Sequence, residues 1–211
     1  MTEFNNYWDK VAQKGQYQMG PQIHRIYLLN LLKKLGVKSF LDVGCGTGPL
    51  YELLINAPLR DYLPISEYKG VDYSEEMIRV CKKEFPKGNF EVQDARKLLE
   101  VDNSWDAVVL MHCLDHLDKY QEAIQEAARV TRQYVIIILW RALTGNDNNL
   151  NSHNSLERIE GEWSDTHLQE YSIVNLLNAF AYADLRLELE YAGEEINQGN
   201  SQNRLFVLKK I

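Results

Sequence analysis

Apolar residues recur along this chain with two alternating periods. Residues 21–35 (PQIHRIYLLNLLKKL) carry Ile23, Ile26, Tyr27, Leu31, Leu32 and Leu35 in helical spacing, which predicts a helix with a broad buried stripe. Residues 39–43 read as a short buried strand that runs into glycines. Pro49 suits the first turn of the helix that follows, because its fixed φ is helical and its missing N–H is not needed there. That helix buries Leu50, Leu53 and Leu54. Residues 68–72 are extended, and Ser74 then caps a helix whose first turn holds Glu75 and Glu76, favourable against the helix dipole. Met77, Ile78, Cys81 and Phe85 form its inner face. Residues 89–93 and 105–112 read as the third and fourth strands. Asp118 with Gln121 three residues on has the form of a capping box ahead of Ala123, Ile124, Ala127 and Ala128. Residues 134–140 (YVIIILW) are almost wholly apolar and need cover on both faces, as in a parallel sheet layered by helices.

The pattern changes after residue 140. Residues 141–170 are polar and asparagine-rich, a long connection of the kind that carries function. Ile173, Leu176, Leu177 and Phe180 restore helical spacing, and Leu185, Leu187, Leu189 and Tyr191 alternate as a strand. Residues 204–208 form another strand. The twelve residues between these last two strands hold two glycines and no helical stripe, too little for a right-handed crossover, so the pair should be an antiparallel hairpin. The predicted architecture is α/β: a doubly wound, mostly parallel sheet with one reversed strand.

Composition narrows the function classes. A length of 211 residues fits one domain. Twenty-three basic against thirty acidic residues leave a net charge of −7, which argues against a strong electrostatic grip on nucleic acid. The longest apolar run, residues 135–140, is far too short to span a bilayer, and the first residues lack a signal-peptide pattern. Cys45, Cys81 and Cys113 are odd in number and form no CxxC pair, which speaks against both a disulfide framework and a thiolate metal site. A cytoplasmic, single-domain protein without a metal is expected. Nothing in the pattern specifies an oligomeric state.

The chemistry concentrates at LDVGCGTG, residues 41–48. Three glycines between a strand and a helix leave no side chain to block a ligand outside the carboxyl ends of the central strands, where open α/β sheets bind. The spacing is GxGxG rather than the GxGxxG of dinucleotide sites, which disfavours a nicotinamide-dependent oxidoreductase, and no GK[ST] follows to make a phosphate loop. Asp72 ends the second strand, where a carboxylate can accept from both hydroxyls of a ribose, or simply cap the turn. Asp94 can accept from an exocyclic amine, or cap the next segment. Tyr73 and Met77 stand where an adenine ring could be sandwiched, with burial in the core as the alternative for Met77.

LDVGCGTG, GVDYSEEMI, FEVQDARKL and WDAVVLMHCLDHL, in this order, resemble the class I (Rossmann-like) S-adenosylmethionine-dependent methyltransferases. The resemblance implies that family's seven-stranded sheet, with the last-but-one strand at the edge and the final strand reversed. It implies S-adenosyl-L-methionine as cofactor. Gly44, Cys45, Gly46 and Gly48 would then line its methionine and ribose, Asp42 would orient the amino group, and Asp72 would hold the ribose hydroxyls. Asp94 and the Ala95 backbone would meet the adenine, and Met111 would pass beneath the donor methyl. The stretch around Trp8 looks like the family's N-terminal segment that closes over the cofactor, and Arg25 could pair with the cofactor carboxylate. On this reading residues 1–36 are lid and first helix, 37–140 the cofactor-binding core, 141–170 a substrate-side connection and 171–211 a terminal helix and hairpin. Residues 58–67 lengthen the first crossover beyond the family's usual length.

The expected reaction is methyl transfer to oxygen, nitrogen or carbon of a small molecule by in-line displacement. Leu110-Met111-His112-Cys113 lacks the Pro-Pro string of enzymes that methylate base amines, and Cys113 lacks the proline that commonly precedes the nucleophile of pyrimidine-C5 enzymes. Candidates for a base or an acceptor contact are His112, His116 and His167, with His153 beside them. A non-catalytic cofactor-binding subunit stays open as an alternative, because function lives in the site and not in the fold.

Overall fold

The computed structural model describes residues 3–13, 23–56, 63–117, 119–140, 148–149, 157–159, 162–164, 169–192 and 203–211. Seven strands form its main sheet: β1 (Ser39–Val43), β2 (Glu67–Asp72), β3 (Phe90–Val92), β4 (Trp105–Met111), β5 (Thr131–Leu139), β10 (Leu185–Tyr191) and β11 (Arg204–Lys210). Their order is β10-β11-β5-β4-β1-β2-β3. β1 pairs in parallel with β2 and β4, β2 with β3, and β4 with β5. β11 is antiparallel to both β5 and β10, so β10 sits at the edge and β11 alone is reversed. This is the fold expected from the sequence.

Successive side chains on a strand face opposite ways, and both faces here are covered. Val135, Ile137 and Leu139 of β5 pack with Val108 and Leu110 of β4 and with α5 (Tyr120–Val130) and α6 (Ile173–Tyr182). Ile136 and Ile138 turn to the other face, against Ala107, Val109, Leu205 and Val207. Cover there comes from α2 (Ile23–Lys34), α3 (Pro49–Ile55) and α4 (Glu75–Glu84). Two-sided burial is the reason for the unbroken apolar run in β5.

Three local expectations are modified. α5 has Lys119 at its N-cap with no side-chain cap bond, and Asp118, the expected cap, lies outside the described residues. The alternation of β10 breaks at a register shift between Leu187 and Leu189, which leaves Leu189 38 % exposed. The connection after β5 contains two small antiparallel pairs, β6 (Asn148–Asn149) with β9 (Gln169–Glu170) and β7 (Glu157–Ile159) with β8 (Glu162–Ser164). Helix α1 (Glu3–Gln13) precedes the rest and lies on α4, where Tyr7, Val11 and Ala12 enclose Met77. Among the described residues no helix is long and apolar enough to cross a membrane.

β1 runs into α3 through a turn that admits only glycine at its first position. Gly44 has φ 77°, and a Cβ there would lie 2.8 Å from the Cys113 Cβ and 2.9 Å from its Sγ. Gly36, at φ 71°, has nothing within 4 Å of such a Cβ. Gly36→Ala therefore meets only left-handed backbone strain, about 1 kcal/mol. Gly44→Ala adds overlap with a packed side chain, for a total of about 3 kcal/mol. At roughly 2–4 °C per kcal/mol for a chain of this size, thermal denaturation should separate the two variants clearly. Equal losses would show that Cys113 moves aside at no cost.

Candidate functional site

The strand order reverses beside β1, and the carboxyl ends of β2, β1, β4 and β5 open on one side of the sheet. Ligands bind at such a switch point. The turn after β1 passes through Gly44, Gly46 and Gly48, all with positive φ (77°, 56° and 83°). Its backbone is tied to the end of β2: the N–H groups of Gly44 and Cys45 both donate to the Val71 carbonyl, at 2.8 and 3.0 Å.

Asp72 completes this tie. Its Oδ2 accepts from the Gly46 N–H at 2.9 Å, and its Oδ1 accepts from the Ser74 N–H at 2.9 Å. One carboxylate thus fixes the glycine turn and the start of α4 together. Burial pushes its pKa up, while the N–H groups of Ser74, Gly46 and Tyr73 pull it down and Asp9 adds repulsion; the net direction is up. Ser74 Oγ accepts from the Met77 N–H at 3.1 Å and donates to Asp9 of α1. The Asp9 carboxylate thereby docks α1 on the α4 N-terminus.

Asp42, the last-but-one residue of β1, is 2 % exposed. Its Oδ2 accepts from the Tyr68 hydroxyl at 2.9 Å. Burial pushes its carboxyl up to about 7, against the Tyr68 bond and the charge of Arg25; Asp72 adds to the rise. Arg25, on α2, is itself buried. Cys45 is buried too, and burial with the nearby Cys81 raises its thiol well above the ordinary range. Burial does the same to Cys113, which keeps that thiol protonated and a poor nucleophile.

At the end of β3, Asp94 does more than cap. Its carboxylate accepts from Arg96 Nε at 3.0 Å and Nη2 at 2.8 Å, and from the Arg96 backbone N–H at 2.9 Å. Burial raises its pKa, but these Arg96 bonds outweigh burial and hold it low. Ala95 is buried beside it. Tyr73 is 36 % exposed, whereas Met77 is 1 % exposed and enclosed by α1. Met77 is thus a core residue beneath α1.

Trp8 of α1 packs edge-on against His116, with ring centroids 4.7 Å apart. His116 lies in a 3-10 turn, Leu114–His116, just past β4. Helix α1 therefore bridges the two elements that flank the β1 turn, α4 and the Leu114–His116 segment. Asp115 in that segment is fully buried and accepts from the Trp140 N–H at 3.2 Å. Met111 ends β4, half-buried among the α2-side residues. His112 follows it with φ 56°, and its ring Nε2 lies 3.0 Å from Asn203 Oδ1. The His112 ring also lies 4.9 Å from that of His24 on α2. The pairings with His24 and Asn203 were not legible in the chain, because they join segments far apart in sequence. His153 and His167 lie outside the described residues. Among the described residues no group of three or more His, Cys, Asp or Glu side chains could hold a metal ion.

Residues 41–139 match the family model described as "Methyltransferase domain". A ubiquinone/menaquinone biosynthesis C-methyltransferase UbiE from Campylobacter jejuni is 30 % identical over 115 residues, covering 54 % of this chain and 48 % of the relative. A demethylmenaquinone methyltransferase from Staphylococcus aureus is 33 % identical over 115 residues, covering 52 % and 46 %. The chain thus spans about half the length of the curated relatives it matches. Among solved structures, a S-adenosylmethionine-dependent methyltransferase from Clostridium acetobutylicum superposes with a TM-score of 0.68 at 13 % identity over 99 % of both chains. The SAM-bound amino pentose methyltransferase CalS10 from Micromonospora echinaspora gives 0.66 at 17 % over 96 % of both. The domain match takes in the glycine turn, Asp72, Asp94 and β4, so residues 41–139 are similar to the methyltransferase-domain family, and the chain shares the fold of the S-adenosylmethionine-dependent methyltransferases among these solved structures.

Proposed function

We propose that this chain holds S-adenosyl-L-methionine across the Gly44–Gly48 turn and transfers its methyl group to a small-molecule acceptor entering over β4 and β5. The observation that carries this reading is the Asp72 clamp beside left-handed glycine backbone. The donor set suits the cofactor. Each oxygen of Asp72 already accepts one N–H and keeps a further lone pair for a ribose hydroxyl. Asp42 offers a buried acid to the ammonium group, and Arg25 a guanidinium to the carboxylate. Ala95 and Asp94 stand at the adenine end, where Asp94 shares its oxygens with Arg96, and Tyr73 lies on the exposed approach.

When bound, the cofactor supplies a methyl carbon already activated by a sulfonium, so the protein contributes mainly alignment and exclusion of water. Trp8 and Asp9 hold α1 across the turn and shield it from solvent. Met111 and His112 form the floor and wall towards the acceptor. For the acceptor we adopt a hydroxylated aromatic ring. Two observations support this class: the names of the Campylobacter and Staphylococcus relatives, and the His24, His112 and Trp140 rings beside β4 and β5. Incubation with methyl-tritiated cofactor and a panel of hydroquinones should move label into the organic extract. Protein that binds the demethylated cofactor yet labels no hydroquinone would remove this acceptor class.

S-adenosylhomocysteine should bind with micromolar affinity in calorimetry, and Asp72→Ala should weaken it tenfold or more, as expected for losing charge-assisted hydrogen bonds. An unchanged affinity would refute the ribose assignment.

Asp42 makes a pH prediction with a definite sign. Its folded pKa, about 7, stands above the unfolded value, so its contribution to stability is full at acid pH and is lost as pH rises through about 7. Ligand binding has the opposite sense, because only the ionised carboxylate attracts the ammonium group. S-adenosylhomocysteine affinity should therefore rise between pH 6 and pH 8. Asp42→Asn should flatten that rise and increase the melting temperature at pH 8 by about 3 °C or more. A wild-type affinity independent of pH would show that Asp42 does not meet the ammonium group.

A further inference from the structure

Next to Arg25 on α2 lies a polar group that the proposed cofactor contacts leave unused. His24 is 4 % exposed, and its Nε2 has no hydrogen-bond partner among the described residues. A buried ring nitrogen left unpaired costs about 1–3 kcal/mol, which an apolar side chain would avoid. Its ring faces His112 at 4.9 Å, tilted by 57°. His112 is held in place from two sides. Its backbone N–H donates to the Ile138 carbonyl at 2.8 Å, and its Nε2 meets the Asn203 amide oxygen at 3.0 Å. An amide oxygen only accepts, so Nε2 carries the ring proton of neutral His112. The left-handed φ of 56° at His112 is a strained conformation for a residue with a side chain, of the kind found at functional sites. Trp140, at the end of β5 and 40 % exposed, extends the ring wall at 6.4 Å from His112.

The chemistry of this wall is neutral. Burial, with smaller effects of His112 and Arg25, lowers His24 to about 3. Burial also lowers His112 to about 4, against its Asn203 bond and with the help of Arg25. Both rings are uncharged at pH 7, and the nearby Arg25 repels an ammonium. A hydroxyl suits the site whichever tautomer His24 adopts, because it can donate to a bare nitrogen or accept from a protonated one. Flat rings on the wall favour a flat partner.

We propose that His24 Nε2 is the docking point for the acceptor, forming a hydrogen bond to a hydroxyl of an uncharged aromatic ring seated against His112 and Trp140. This rests on the methyltransferase reading above and names the residue that would orient the acceptor. Nothing in the family motifs of this chain includes His24, which sits on the helix before the matched domain.

The test uses phenol as probe and protein carrying ¹⁵N-labelled histidine, saturated with S-adenosylhomocysteine. The His24 ring signals, assigned through His24→Gln, should move in a saturable way with millimolar phenol. His24→Leu should weaken phenol binding tenfold or more and leave S-adenosylhomocysteine affinity within twofold. It should also melt no lower than the wild type, since the nitrogen that lacks a partner among the described residues is gone. If phenol leaves the His24 signals unmoved in protein that binds S-adenosylhomocysteine, the docking role is wrong. A His24→Leu variant that binds phenol as tightly as the wild type would overturn it too. If the wild type fails to bind S-adenosylhomocysteine, the cofactor reading falls instead, and the phenol titration on the free protein still decides the role of His24.

Discussion

The carboxylate of Asp72 joins two turns that would otherwise be independent. By accepting from Gly46 on one side and Ser74 on the other, it sets the distance between the β1 turn and the start of α4. Everything above the sheet is built on that spacing. Ser74, so placed, receives Asp9, and Asp9 brings α1 down over Met77. The helix then reaches His116 through Trp8. A bond pattern only a few ångströms across thus orders the first helix of the chain and the segment after β4.

Much of this was legible in the chain, for identifiable reasons. Strand β5 declares its two-sided burial because every side chain from Val135 to Leu139 must be apolar when helices cover both faces. The glycine turn is legible because positive φ and the nearness of Cys113 make any side chain at position 44 costly. Such constraints are local, and one residue type satisfies them.

What escaped the sequence depends on long-range placement. Met77 reads equally as ring wall or core until α1 is laid over it. Asp94 reads as an amine acceptor or a cap, whereas the structure commits most of its capacity to the fork of Arg96, two residues on. His24 shows only a helical position; its approach to His112 follows from how α2 crosses the ends of the strands. The break in β10 had no signal either, since an edge strand tolerates an extra residue without exposing a core.

The reversed strand has a consequence of its own. Because β11 runs against its neighbours, its amino end lies at the same rim as the carboxyl ends of β4 and β5. Asn203, just before it, can therefore touch His112 across 91 residues of chain. A seventh parallel strand would have delivered its beginning to the opposite rim. Inverting one strand lets a segment far along the polypeptide contribute a side chain to the rim that the glycine turn occupies. A change at Asn203 then alters the surroundings of His112, while the glycine turn and its acid stay untouched.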